Sequence, residues 1–138
     1  MLRTLAAATL ALATLVGPAA AQDSSANAIV NAQLDAATTE IGLTSEARVY
    51  GRLAEDRAEI VRIEAAGGDL YFIGACDRNC RDVDLIVRDA SGRELGRDFE
   101  PDDVPIVSVP GATAGRYTVE VWMATCAGEC DWGVGVFR

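Results

Sequence analysis

From residue 47 onward, apolar and polar residues alternate in short runs separated by turn-forming residues. Side chains alternate between the two faces of a β-strand, so this period of two predicts strands. The predicted strands cover residues 47–53, 58–65, 69–76, 82–89, 93–98, 104–109, 116–125 and 131–137. Short strands at this spacing are typical of an antiparallel, jelly-roll-like β-sandwich. The fold class is therefore predicted to be mainly β, with the sandwich covering residues 47–138.

A helical period precedes the strands. Apolar residues recur at steps of four, three and four: Val30, Leu34, Ala37 and Ile41. Gly42 followed by Leu43 is typical of a helix end, because Gly adopts the left-handed conformation readily and the Leu can pack behind it. Residues 22–46 are therefore predicted to hold a short α-helix packed on the sandwich. The alternative is a helix that binds a partner through its narrow apolar stripe.

The first 21 residues have the layout of a secretory signal peptide. Arg3 supplies the positive charge, residues 5–16 form the apolar region, and residues 19–21 are three Ala at a small-residue cleavage site. The alternative is a membrane anchor, but the apolar run is short and interrupted by Thr. No later stretch is long and apolar enough to span a bilayer. The mature chain is therefore predicted to be periplasmic or secreted, with no membrane span.

Composition narrows the chemistry open to the protein. A net charge of −9 argues against nucleic-acid binding, because phosphate contacts need basic side chains. The 138 residues include no His, and all 12 basic residues are Arg. Histidine triads, histidine metal sites and Schiff-base lysines are therefore excluded. Paired carboxylates remain, but no predicted insertion would build a cleft around them, so we do not expect an enzyme.

Four cysteines form two C-x3-C loops: Cys76 with Cys80, and Cys126 with Cys130. In an exported protein this number predicts two disulfides. Local pairs are favoured because residues 126–130 have the sequence of a tight turn. Cross-loop pairs such as Cys76–Cys126 remain open, since a longer ring gains about 4 kcal/mol of loop entropy against about 2 for a local ring. A four-thiolate zinc site is the other alternative.

Oxygen-bearing side chains cluster where the first cysteine loop leads into a strand. Asp77, Asn79, Asp82 and Asp84 are ligands of the type that Ca²⁺ prefers, so they are the candidate calcium site. The spacing does not fit an EF-hand loop, because Arg81 occupies the third ligand position and no Gly follows. In the alternative interpretation, Asp82 caps the loop and Asp84 faces solvent. No other cofactor is expected.

The last two predicted strands hold both Trp residues. If they form a hairpin closed at Cys126–Cys130, one face is an apolar patch pointing away from the sandwich core. That candidate partner patch consists of Trp122, Ala124, Trp132, Val134 and Val136. The predicted helix would be its nearest cover. A bulge at Gly128 would instead shift the register and send Trp132 into the core.

Three short motifs follow one another in an order that is more informative than any one of them. They are G-D-L-Y-F at residues 68–72, D-V-D-L-I-V-R-D-x-x-G at residues 82–92, and A-G-R-Y-T-V-x-V at residues 114–121. In this order they resemble the bacterial pre-peptidase C-terminal domain, over residues 47–137. The resemblance implies a jelly-roll-like sandwich without catalysis. Such domains usually follow secreted peptidases, and related domains bind collagen or other polymers. Paired C-x3-C loops are not general to that family.

The sequence therefore predicts a non-catalytic exported binding or structural module. Its expected partner is an unidentified protein or polymer of the cell envelope. The alternative function is a calcium-stabilised domain that binds a carbohydrate or another polymer.

Overall fold

The computed structural model describes residues 24–138 and contains one helix followed by eight strands. The predicted signal peptide lies outside these residues. The elements are α1 (Ser24–Thr39), β1 (Ser45–Ala54), β2 (Arg57–Ala65), β3 (Gly68–Cys76), β4 (Cys80–Arg88), β5 (Glu94–Asp98), β6 (Ile106–Ala112), β7 (Gly115–Cys126) and β8 (Glu129–Phe137). Each predicted strand corresponds to one observed strand. Within the described part of the chain, no helix is long and apolar enough to cross a membrane.

The strands form two antiparallel four-stranded sheets. Sheet A has the order β1-β8-β3-β6, and sheet B has the order β2-β7-β4-β5. β1 pairs with β8, β2 with β7, β3 with β6 and β4 with β5. The chain therefore resembles one long hairpin rolled into a sandwich, which is the jelly-roll arrangement. The predicted fold class is confirmed.

The main core lies between the two sheets and is built from alternate residues of each strand. On β4, Val83, Leu85 and Val87 are buried, as the alternation predicts. β6 extends further than predicted, because it continues through Pro110 to Ala112. β6 lies at the edge of sheet A, where a Pro without an N–H group is tolerated.

The helix α1 packs on the outer face of sheet A, against β3 and β8. Val30 and Leu34 are fully buried there, in a second apolar cluster with Ile73, Ala75 and Phe137. A Cβ atom placed on Gly133 would lie 2.6 Å from Val30 Cγ1, so only glycine lets the helix come this close. The predicted packing of the helix on the domain is confirmed.

The helix ends earlier than the apolar stripe predicted. α1 stops at Thr39, and Ile41 is 56% exposed beyond it. Gly42 has the left-handed conformation, with a φ of 69°. The Leu43 N–H donates to the Thr38 carbonyl at 3.1 Å, and the Leu43 side chain packs against the second cluster. The predicted Gly-Leu helix end is therefore correct, whereas Ile41 is not part of the buried stripe.

Both cysteine loops lie at the same end of the sandwich. The disulfides are local, Cys76–Cys80 and Cys126–Cys130, as favoured from the sequence. Cys80 and Cys126 are nonetheless direct neighbours across β4 and β7. A zinc site that uses the four thiols is not compatible with these bonds.

Candidate functional site

The predicted partner patch is wrong for three of its residues. β7 and β8 are not a hairpin, because the loop between them crosses from sheet B to sheet A. Trp132, Val134 and Val136 therefore point into the main core and are fully buried. Trp132 fits there because the residue opposite it on β1 is Gly51. A Cβ atom at Gly51 would lie 2.4 Å from the Trp132 ring.

Trp122, in contrast, does point outward. It lies on the outer face of sheet B and is 43% exposed. Ile60, on the neighbouring strand β2, is 61% exposed on the same face. The helix packs on sheet A and leaves this region of sheet B to solvent. We call this surface the open face; its central side chains are Ala58, Ile60, Asp82, Asp84, Trp122 and Ile86.

The open face carries two carboxylates beside the indole. Asp84 lies directly opposite Trp122 in the β4–β7 pairing, and Asp82 is two residues earlier on the same face. Directly opposed side chains are neighbours, with Cβ atoms about 5 Å apart. One oxygen of each carboxylate, Oδ1, is shielded from solvent and has no hydrogen-bond partner. Neither carboxylate takes part in an ion pair within residues 24–138.

The pKa of each of these two carboxyl groups is raised above its ordinary value. Burial raises the pKa of Asp84 to about 6, and the negative charges of Asp82, Asp98 and Asp102 contribute to the shift. The pKa of Asp82 is also raised, first by burial and then by Asp102. Negative charge on this side of the sheet is thus concentrated and poorly compensated.

Three arginines of this sheet, by contrast, have partners. Three ion pairs use a guanidinium and a Glu carboxylate of the same sheet, at 2.6 to 2.9 Å: Arg88–Glu120, Arg97–Glu94 and Arg116–Glu64. The pair nearest Trp122 is Arg88–Glu120. These cations are neutralised by glutamates, so they do not compensate Asp82 and Asp84.

The candidate calcium residues are divided between two places. Asp77 Oδ1 accepts the Asn79 N–H at 2.9 Å, and its Oδ2 accepts the Asp131 N–H at 2.8 Å. Asp77 therefore links the first cysteine loop to β8, whereas Asp82 and Asp84 lie on the open face. Within residues 24–138, no three His, Cys, Asp or Glu side chains are placed to hold one metal ion. The four residues do not form a ready-made ligand set, and calcium binding stays a prediction.

Replacing Asp84 by Asn is expected to stabilise the fold at neutral pH. Because the folded-state pKa is raised from 3.8 to about 6, the folded state loses stability as pH rises through 6. The Asn variant avoids this loss, so its free energy of unfolding should exceed that of the wild type by about 1 kcal/mol at pH 7.5, after allowance for solvent screening. The difference should vanish near pH 4. Urea unfolding at both pH values measures it.

The matched control for this measurement is Glu129→Gln, which removes one carboxylate from an exposed position outside the open face. Its effect on stability should be small at both pH values. A gain for Asp84→Asn that is the same at pH 4 and pH 7.5 would contradict the proposed origin in ionisation.

Sequence reasoning identified Trp122, Asp82 and Asp84 but did not place them on one site, and it did not single out Ile60 and Ile86. Ile60 and Ile86 alternate with inward-facing residues, which is a signal of outward-facing apolar side chains. Asp84 lies beside Trp122 because β4 pairs with β7. Between the end of β4 and the start of β7 lie 26 residues. No local pattern in the sequence reports that pairing.

Comparison with known proteins gives distant structural similarity alone. No family model matches the chain, and no curated protein matches it. Among solved structures, the chain is similar to Aeromonas hydrophila PliG, a periplasmic lysozyme inhibitor of g-type lysozyme. The identity is 13%, the TM-score is 0.41, and the similarity covers 67% of this chain and 86% of PliG.

Proposed function

We propose that this protein is an exported, non-catalytic binding module that binds a protein of the cell envelope through the open face. The observation that carries the proposal is the difference between the two outer faces of the sandwich. Sheet A is covered by α1, whereas sheet B leaves Trp122 and Ile60 43% and 61% exposed. Large apolar side chains grouped on a surface mark sites of interaction.

The composition and the site both support a non-catalytic role. The chain has neither His nor Lys, and in the described residues each Cys is in a disulfide. The carboxylates with raised pKa lie on an open sheet surface instead of in a cleft. A general acid needs to be held against a bound substrate, and an open sheet provides little such enclosure.

Export is supported by the layout of residues 1–21 and by the two disulfides, which persist in oxidising compartments. The resemblance to the pre-peptidase C-terminal domain also supports a sandwich that binds without catalysis. Membership of that family is a proposal here. A calcium-stabilised polymer-binding domain stays the alternative function.

Photo-crosslinking in the producing cell tests the proposal. A photoreactive amino acid at Ala58, on the open face, should give a defined crosslinked product with an envelope protein. The same amino acid at Ala36, an exposed position of α1, should give none. The double variant Trp122→Ser, Ile60→Ser should abolish the product by removing the apolar contact.

The control is Ile41→Ser, Ile106→Ser, which removes two side chains that are 56% and 42% exposed elsewhere on the surface. It should leave the Ala58 product unchanged. Equal products from Ala58 and Ala36, or loss of the product in the control variant, would overturn the assignment of the open face.

A further inference from the structure

Resting on the proposed function, we propose that the partner presents a basic segment to the open face, with an Arg or Lys side chain seated on Trp122 beside Asp82 and Asp84. The class of partner is thus a protein with a positively charged surface. Three features of the open face lead to this assignment.

The first feature is the juxtaposition of an indole and a carboxylate. Trp122 and Asp84 are directly opposed on neighbouring strands, so they lie side by side. A guanidinium or ammonium over an indole face gains about 0.5–2 kcal/mol from the cation–π interaction. The adjacent carboxylate can accept charge-assisted hydrogen bonds from the same cation. Together they form the elements of a pocket for a basic side chain.

The second feature is the uncompensated charge. Asp82 Oδ1 and Asp84 Oδ1 have no hydrogen-bond partner, although they are shielded from solvent. Arg88, on the same strand as both carboxylates, already pairs with Glu120 at 2.9 Å. Desolvated carboxylate oxygens without a donor are unfavourable. A cation that another molecule places beside the two carboxylates would reduce the repulsion between their negative charges.

The third feature is the overall charge of the chain. A net charge of −9 attracts basic proteins at long range and steers them toward the surface. The apolar side chains of Ile60 and Trp122 then provide the short-range contact. Trp and Arg are the residues most enriched at the energetic centres of interfaces, so a Trp–Arg contact suits the centre of this face.

A second copy of the chain suits the face less well. A two-fold dimer through the open face would bring the same acidic residues from both subunits into one interface. Three arginines that could offset that charge, Arg88, Arg97 and Arg116, are held in ion pairs within their own sheet. A neutral polysaccharide can donate hydroxyl hydrogen bonds to Asp82 and Asp84, but it carries no positive charge to offset theirs.

The test uses the full exported chain and a blocked decapeptide of alternating Arg and Gly. The matched peptide carries citrulline, the neutral analogue of Arg, at the same positions. Because Trp132 is fully buried, a change in Trp emission on peptide addition reports on Trp122. We expect the Arg peptide to change the emission and the citrulline peptide to leave it unchanged. Binding should weaken as salt is raised.

Three variants separate a specific site from general attraction. Asp84→Asn and Trp122→Leu should each weaken binding of the Arg peptide by about tenfold, measured by calorimetry, which corresponds to about 1.4 kcal/mol. Glu129→Gln removes the same unit of charge from an exposed position elsewhere. It should change the affinity less than twofold. Equal weakening by Asp84→Asn and Glu129→Gln would overturn the proposal, because only net charge would then matter.

Further measurements distinguish a basic partner from other ligands of the open face. Self-association in sedimentation that Trp122→Leu abolishes, or binding of a neutral oligosaccharide in place of the Arg peptide, would overturn the basic partner. The basic partner would also be overturned if millimolar Ca²⁺ displaced the peptide and raised the melting temperature of the wild type but not of Asp84→Asn. If the Ala58 crosslink forms but the Arg peptide does not bind, the binding function stands and only the basic partner falls. Loss of both would overturn both.

Discussion

Replacement of Trp132 by Ala is expected to lower the free energy of unfolding by about 3–5 kcal/mol, which is a large part of the stability of a domain of this size. Trp132 is fully buried and is the largest side chain in the core between the two sheets. Its removal leaves a cavity that the neighbouring strands cannot close, because both sheets are held by their pairing. Urea unfolding followed by far-ultraviolet circular dichroism measures the change.

Two comparisons show that this effect comes from core packing. Trp122→Ala removes the same kind of side chain from a position 43% exposed and should cost less than about 1 kcal/mol. Trp132→Phe should cost less than Trp132→Ala, since Phe retains most of the apolar contact and the Trp132 Nε1 has no acceptor to lose. Similar losses for Trp122→Ala and Trp132→Ala would contradict the assignment of these residues to opposite sides of the fold.

Gly51 provides a further check on the position of Trp132. An added methyl group at Gly51 would meet the Trp132 ring at 2.4 Å, so Gly51→Ala should destabilise the wild type by about 1–3 kcal/mol. In the Trp132→Phe background the smaller ring should reduce this loss. A double-mutant cycle measures the coupling between the two residues.

Replacement of Leu34 by Asp is expected to release α1 from sheet A. Leu34 is fully buried against β3 and β8, and an unpaired carboxylate there would cost more than about 3 kcal/mol. The helix would then leave, exposing Ile73, Ala75 and Phe137 to solvent. Hydrophobic-dye binding and faster proteolysis within residues 24–39 would report the release, while the sandwich keeps its strand signal in circular dichroism.

The control is Ala36→Asp, which places the same carboxylate on the exposed side of the same helix. It should leave dye binding and proteolysis close to wild-type levels. If Leu34→Asp and Ala36→Asp behave alike, the helix does not cover sheet A in solution.

The sequence by itself determined the local structure of the described chain. Alternation of side chains located the strands, since a half-buried strand must place apolar residues on one face. Helical spacing located α1, and Gly42 with Leu43 located its end. These signals are local, because each depends on the backbone geometry of a few consecutive residues. A short segment of sequence is therefore enough to predict them. The local disulfides were favoured for the same reason.

The tertiary structure decided which strands pair and therefore which faces are covered. The sequence suggested a hairpin of β7 with β8, but the chain crosses between sheets at residues 126–130. That crossing turns Trp132 inward, leaves Trp122 outside, and brings Asp84 of β4 beside Trp122. Alternation shows that two faces exist, but it does not show which face meets the other sheet. That choice is made by contacts between residues far apart in the chain, and so the composition of the open face was decided by the fold.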